Sequence, residues 1–290
     1  MGHHYVPQFL LRRWATEGRL IAYFFETNSN KVVENPKATV ASACQIKDLN
    51  VFFGVDLSQR DFPETRFFTP RVDTPAATAL KILETDVSKL TQKRRMDWAR
   101  LIVSFGVRTP EALRDMGPKE AKKAFEVVQA MAKGDPQAER RVTALIEKNM
   151  RTFQQNFPLQ TAIELSTDPQ KLATVGGMDW WITRWPRPAI LIGDRPLLTY
   201  PRMKYPCGIP LNNPSCLIAL PIAPNAVFFA SADRRTKSKE IDLDKMARAV
   251  NEETIFRSTT CIYASDKSLA SFVKPRIAGK ATGTWQPGSS

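Results

Sequence analysis

Two adjacent histidines near the start of the chain are the residues best suited to chemistry. His3 and His4 are followed directly by Tyr5, and they are the only histidines among the 290 residues. An imidazole gains and loses a proton near neutral pH and is also a common metal ligand, so a histidine pair favours acid–base catalysis or metal binding. We therefore take His3 and His4 as candidate catalytic residues and as candidate ligands of a divalent metal ion.

Two charged side chains further along the chain are candidates to work with these histidines. Asp194 lies in a turn between the apolar segments AILIG and LLTY. There its carboxylate either bonds to nearby backbone, as aspartates in turns usually do, or orients a histidine or binds a cation. Arg108 ends an amphipathic helix and is either a carboxylate partner or a clamp for a phosphate or oxyanion. The predicted catalytic set is His3, His4, Tyr5, Arg108 and Asp194, and the predicted metal ligands are His3, His4 and Asp194.

A family resemblance bears on whether the histidines are native, because Gly-His-His is also what an expression tag leaves behind. The segment HHYVPQFLLRRWA closely resembles the opening of a bacterial family known as domain of unknown function 4238. The resemblance implies that His3 and His4 are native, and it implies no particular activity. At Gly193 and Arg195 the family tends to have Ser and Asn, whereas Asp194 is retained. Shorter matches follow in order, over about residues 3 to 265: Arg108-Thr109-Pro110, Gly193-Asp194-Arg195-Pro196, Leu220-Pro221-Ile222-Ala223-Pro224, Asn251 and Tyr263.

Other catalytic motifs are missing or incomplete in the sequence. His-His-x-x-Pro also opens several HNH-type nucleases, which place it on a β-hairpin and add an Asn and a further His from a following helix. Here the motif runs directly into a predicted helix and no third histidine exists. The nearest substitutes, Asn28, Asn30 and Asn35, lie in or beside a hairpin, so we do not expect an HNH fold. No P-loop, dinucleotide-binding glycine motif, nucleophile elbow or zincin motif is present.

The charge balance favours a polyanionic partner. The chain has 42 Lys and Arg against 29 Asp and Glu, a formal net charge of +13. Such an excess promotes contact with phosphate groups, above all those of nucleic acid. The densest basic segment contains Lys93, Arg94, Arg95 and Arg100, which we predict to contact nucleic acid; the alternative is an ordinary solvated helix face.

Cysteine spacing and hydropathy predict the compartment. Cys44, Cys207, Cys216 and Cys261 are far apart and form no C-x-x-C pair, so we expect all four to be reduced. No targeting segment is recognisable, and the most apolar run is too short to span a bilayer. We expect a cytoplasmic protein with no membrane partner.

The elements that must position these residues predict a single α+β domain over residues 1–278. A short helix (QFLLRRW) precedes a β-hairpin over Arg19–Glu34, and a helical subdomain covers about residues 74–167, with helix starts or breaks at Thr74, Thr109, Gly117 and Gly134. After Met178, short apolar segments predict strands of one mostly antiparallel sheet built from both ends of the chain. Near the end we predict a helix over Asp242–Arg257, a strand in TTCIYA, a helix over Ser268–Ile277 and a disordered tail over residues 279–290.

Together these features predict a phosphodiester-directed enzyme, nuclease-like and with a toxin or defence role, in which His3 and His4 act as acid–base groups or metal ligands. One alternative is a non-catalytic basic module that binds nucleic acid or protein and in which HHYVP is structural. Another is an enzyme acting on a small phosphorylated substrate. The enzymatic hypothesis requires His3, His4, Arg108 and Asp194 to converge in space.

Overall fold

The computed structural model describes residues 2–201, 211–233 and 242–288. Cys207 and the last two residues of the predicted tail therefore lie outside the described residues. Cys44, Cys216 and Cys261 are free thiols. Among the described helices, none is long and apolar enough to cross a membrane.

The strands of the described residues form three antiparallel sheets. The smallest sheet pairs the strand that carries the histidines with a strand some forty residues later. A four-stranded sheet has the order β3-β2-β10-β6, and a second has the order β5-β9-β8-β7. The strands are β1 (Gly2–His4), β2 (Arg19–Glu26), β3 (Lys31–Thr39), β4 (Gln45–Lys47), β5 (Asp179–Arg184), β6 (Ile192–Gly193), β7 (Leu198–Tyr200), β8 (Leu217–Ala223), β9 (Ala226–Ser231) and β10 (Ile262–Ala264).

Helices fill the middle of the chain and flank the sheets, and the whole is one α+β domain, as predicted. A π-helix over Pro63–Asp73, which the sequence analysis did not predict, runs directly into α3. The α-helices are α1 (Gln8–Leu11), α2 (Leu57–Arg60), α3 (Thr74–Thr85), α4 (Gln92–Phe105), α5 (Pro110–Ala132), α6 (Pro136–Thr167), α7 (Pro169–Gly177), α8 (Leu243–Arg257) and α9 (Ala270–Thr282), and 3₁₀ turns cover Arg12–Trp14 and Val87–Lys89.

The sheet built from both ends of the chain is confirmed, but the strands do not form one sheet. The predicted hairpin is present as β2 and β3, and β10 lies between β2 and β6. The segment AILIG thus joins the N-terminal sheet through β6, whereas the other apolar segments form the second sheet. A short strand that is buried on both faces has no polar alternation, so its sequence does not indicate which sheet it joins.

Helix α4 is the centre of the helical third. The sequence predicted an amphipathic helix that ends at Arg108, but the polar residues Asp97, Ser104 and Arg108 are buried along with the apolar face. The reason is that α3, α6, α7 and the π-helix surround α4. The predicted break at Gly117 is also wrong, because α5 continues through it. A Cβ at Gly117 would lie 2.6 Å from the carbonyl oxygen of Gln154, so this glycine marks close packing of α6.

The end of the chain is more ordered than predicted. Helix α9 extends to Thr282 and ends where Gly283 adopts a left-handed conformation with φ of 73°. Trp285 then packs against the small apolar cluster that contains Ile277, and the amide of Gly288 donates to Glu252 Oε2 at 3.1 Å. Burial of the tryptophan provides the packing that a Gly/Ser/Thr-rich segment lacks, so the prediction of disorder is wrong for residues 279–288.

Candidate active site

Strand β1 places its two histidines on opposite faces. It pairs with β4 so that His3 lies opposite Ile46 and His4 opposite Gln45. Because successive side chains of a strand alternate, His3 points into the protein and is 1% exposed, while His4 is partly exposed. The two predicted catalytic histidines therefore work in different environments.

His3 is held as a buried, neutral side chain. Its Nδ1 accepts a hydrogen bond of 3.1 Å from the amide of Asn50, whose side-chain Nδ2 donates to Glu64 Oε2 at 2.8 Å. Burial lowers the pKa of His3, and the nearby charge of Glu64 opposes this shift. Its Nε2 is buried and has no partner among the described residues. These contacts suit a residue that fixes the loop after β4, not one that meets a substrate.

His4 has the geometry expected of a proton acceptor. Its Nε2 lies 3.1 Å from the carbonyl oxygen of Ala41. A carbonyl only accepts, so Nε2 carries a proton, and in the neutral tautomer the lone pair of the ring lies on Nδ1. The side-chain Nε2 of Gln8 lies 3.4 Å from both ring nitrogens. Of the two ring nitrogens only Nδ1 can accept from this amide, so its lone pair makes one long hydrogen bond to Gln8 in a partly exposed side chain.

Arg108 is a buried side chain that holds the backbone directly after the two histidines. It is 2% exposed, its Nη1 donates to Asp73 Oδ1 at 2.8 Å, and its Nε donates to the carbonyl oxygen of Tyr5 at 3.0 Å. Burial raises the pKa of Asp73, while the charge of Arg108 and, more weakly, that of His4 lower it. Arg108 therefore fixes the backbone next to His4. Asp73 is the acidic group whose charge interacts with both Arg108 and His4.

The π-helix supplies the acidic residues that the sequence analysis missed. It carries Glu64 near its start and Asp73 at its end. Glu64 Oε1 accepts a hydrogen bond of 2.8 Å from the Thr69 hydroxyl, five residues later, which is the spacing of a π-helix. A buried arginine needs a carboxylate, so the sequence signal for Arg108 implied an acidic partner, but nothing near it in the sequence identified Asp73 or the link from Asn50 to His3.

Tyr5 joins the motif to the rest of the protein. Its side chain is buried, and its hydroxyl hydrogen-bonds to the side chain of Thr260. Burial raises the pKa of Tyr5 well above its ordinary value, so the phenol stays protonated. Its backbone amide donates to the carbonyl oxygen of Cys44 at 3.1 Å. Tyr5 is therefore a buried connection between β1 and the turn before β10.

Asp194 is fully used as a hydrogen-bond acceptor. It is 1% exposed. Its Oδ2 accepts from the Thr260 amide at 2.6 Å and from the Thr259 hydroxyl at 2.9 Å, and its Oδ1 accepts from the Thr259 amide at 3.0 Å. The carboxylate thus holds the turn that precedes β10. Thr260 links it to Tyr5 of the motif, and none of its hydrogen bonds among the described residues is to a histidine.

The predicted metal site is not assembled. The described residues contain no group of three or more His, Cys, Asp or Glu side chains that could hold a metal ion. The predicted ligands His3, His4 and Asp194 are separated because β1 turns the two imidazoles to opposite faces and the oxygens of Asp194 already accept amide and hydroxyl hydrogens.

The predicted nucleic-acid contacts on α4 are largely engaged within the protein. Lys93, Arg94 and Arg100 all form ion pairs with Asp97, at 3.9, 3.1 and 3.4 Å. Arg95 donates to the carbonyl oxygens of Gly176 and Met178 and lies 3.9 Å above the ring of Trp180. Because of these local partners, only Lys93 is well exposed, and the segment does not form a free basic surface.

Comparison with protein families gives a match over residues 2–268 to the model of a family described as protein of unknown function, DUF4238. Comparison with curated proteins and with solved structures gives no significant match. The match covers nearly the whole described domain, including the histidine strand, the π-helix and the Asp194 turn. The chain therefore belongs to the DUF4238 family.

Proposed function

We propose that the protein is a phosphodiester-directed hydrolase of the cytoplasm, nuclease-like in its chemistry, in which His4 is the acid–base residue. The observation that carries this proposal is the orientation of the His4 ring by the Ala41 carbonyl, which makes Nδ1 the basic nitrogen of a partly exposed side chain, with a long contact of 3.4 Å from the neutral Gln8 amide. The net charge of +13 favours an anionic substrate. His4 Nδ1 would take a proton from an attacking water and the imidazolium would return it to the leaving oxygen.

The buried residues behind His4 would act by positioning it. Arg108 holds the carbonyl of Tyr5, the residue next to His4, and Asp73 neutralises Arg108. His3 fixes the loop after β4 through Asn50. In this proposal the predicted catalytic residues His3, Tyr5 and Arg108 support the site without touching substrate.

A non-catalytic module is the second candidate, and burial supports it. His3 and Tyr5 are both buried, His3 bonded to the Asn50 amide and Tyr5 to the Thr260 side chain, as expected if the HHYVP motif serves only to close the fold. The protein would then bind polyanions through its net charge alone. Such binding would weaken steeply as salt is raised, because it would consist of Lys and Arg contacts to phosphate.

Replacement of His4 tests the proposal. We expect His4→Ala to reduce phosphodiester cleavage by roughly 10²–10⁴-fold, the usual contribution of a general acid–base residue. Its exposed bond to Ala41 contributes about 1 kcal/mol, so the fold should persist. Cleavage of single-stranded DNA, duplex DNA and RNA, with and without added divalent cations, is measured beside thermal unfolding. Lys122→Ala, which removes a charge that is 78% exposed on α5, is the matched control.

Two outcomes would contradict the proposal. One is cleavage by His4→Ala at the rate of the unmodified protein. The other is a marked loss of stability in His4→Ala together with no cleavage of any substrate by the unmodified protein, which would favour the structural module.

A further inference from the structure

We infer that Arg12 and Gln8 form a phosphate-binding subsite beside His4. This inference rests on the proposed function and specifies how the substrate would be held. His4, Gln8 and Arg12 follow one another at intervals of four residues along the segment that runs from β1 through α1 into the first 3₁₀ turn. Gln8 and Arg12 lie on one face of the helical turn, whereas His4 belongs to β1 and joins the row through hydrogen bonds.

Hydrogen bonds fix the order within this row. Arg12 Nη2 donates to Gln8 Oε1 at 2.8 Å. With its oxygen engaged, the Gln8 amide turns its NH₂ group toward His4, 3.4 Å from both ring nitrogens. Gln8 therefore keeps the guanidinium of Arg12 at a set distance from the imidazole.

Arg12 differs from the arginine next to it in having unused donors. Arg13 forms an ion pair with Glu84. Arg12 is exposed, and within the described part of the chain the neutral amide of Gln8 is its only side-chain partner. A guanidinium carries five N–H donors, and the bond to Gln8 uses one. Among the described residues its positive charge therefore has no carboxylate partner, and it is linked to His4 through Gln8.

The ligand chemistry follows from the shape of this group. A guanidinium presents parallel N–H donors that match two oxygens of one phosphate, which a lysine ammonium does not. A phosphate held by Arg12 would be separated from the His4 ring by the Gln8 amide that contacts both residues. The subsite therefore fits a phosphate group with two unsubstituted oxygens, which both a phosphodiester and a terminal or free phosphate provide.

Binding measurements on variants test the subsite without requiring turnover. Inorganic phosphate and the phosphodiester dinucleotide thymidylyl-thymidine are titrated into the full chain, and chemical shifts of the Arg12, Gln8 and His4 side chains are followed by NMR. We expect Arg12→Gln to bind at least roughly tenfold more weakly than the unmodified protein. Arg12→Lys should have an intermediate affinity, because it keeps the positive charge but lacks the paired donors. Arg19→Gln, which removes another exposed arginine at the start of β2, should leave binding unchanged.

The two ligands and the variants separate the possible outcomes. Preferential binding of the dinucleotide supports a diester substrate, and preferential binding of inorganic phosphate supports a phosphate end; both support the subsite. The inference is overturned if neither ligand binds, or if both bind Arg12→Gln as tightly as the unmodified protein while its melting temperature is unchanged. Arg12-dependent binding without any cleavage would contradict the proposed hydrolase and leave the subsite intact, whereas His4-dependent cleavage with an unchanged KM in Arg12→Gln would do the reverse.

Discussion

The exposed face of β1 and the Asp194 turn both carry polar residues that the sequence marks for catalysis, and they differ in how completely those residues are paired. In the first, His4 Nδ1 has a long contact of 3.4 Å to a neutral amide, and the neighbouring Arg12 keeps unused donors. In the second, the oxygens of Asp194 accept amide and hydroxyl hydrogens from Thr259 and Thr260. The chemical type of a residue makes it a candidate, but the number of donors and acceptors left free decides whether it can bind a ligand.

The largest effect should come from the buried support of the first region. Arg108→Met removes the guanidinium and leaves Asp73 with an uncompensated charge and the Tyr5 carbonyl without its donor. We expect a loss of about 3–5 kcal/mol in the free energy of unfolding, typical of breaking a buried pair on one side. Urea denaturation measures this loss. Arg94→Met, which removes a partly exposed partner of Asp97, is the control and should cost less than about 1 kcal/mol.

Comparison of the two arginine variants can contradict the role given to the pair of Arg108 and Asp73. A loss for Arg108→Met no greater than that for Arg94→Met would mean that the buried pair does not support the motif. In the double variant Arg108→Met with Asp73→Leu, removal of both charges should recover part of the stability, since no buried charge is left alone.

The next effect concerns the paired region. Asp194→Ala leaves the amides of Thr259 and Thr260 without acceptors, so we expect a loss of about 2–3 kcal/mol in the free energy of unfolding. Asp194→Asn keeps one oxygen and should lose less. Phosphate binding and any cleavage activity should be unchanged in Asp194→Asn at a temperature where it is folded. Loss of activity in a folded Asp194→Asn would show that the Asp194 turn and the His4 region form one site, and it would contradict a purely structural role for Asp194.

The smallest effect is on the pH dependence of stability, and it should differ between variants of His3 and His4. Burial lowers the pKa of His3 below 6.5 in the folded protein. Between the lowered pKa and 6.5 the unfolded chain binds a proton that the folded chain does not, so this contribution to stability is complete above about pH 6.5 and is lost as the pH falls toward the folded pKa. His3→Gln should flatten the dependence, whereas His4→Gln should keep it. Urea midpoints at about pH 7.5 and about pH 5.5 measure the difference, and equal slopes in both variants would contradict the assignment.

Local signals were enough to predict much of the fold and little of the site. The hairpin over Arg19–Glu34 and helix α8 follow from alternation, helical periodicity and the cap provided by Asp242, all of which act over a few residues. The pairing of Asp97 with Arg94 and Arg100 also has a local spacing of three residues and was within reach of sequence analysis.

The contacts that define the site join distant parts of the chain. Asp73 meets Arg108 across 35 residues, Asn50 meets His3 across 47, and Thr259 meets Asp194 across 65. Periodicity and spacing contain no information about such pairs, because each depends on how whole elements pack. For the same reason the sequence suggested a carboxylate partner for Arg108 without identifying which residue provides it.

The position of β10 also sets the order of events during synthesis. This strand lies between β2 and β6, so the sheet that begins at residue 19 has its centre at residues 262–264. Trp14 likewise donates to the carbonyl oxygen of Ile190 at 2.8 Å, across 176 residues. N-terminal segments usually fold first as a chain leaves the ribosome, but these have to wait for their partners. The surface that carries His4 is completed only once β10 has emerged, which would delay any activity there until nearly all of this sequence has been translated.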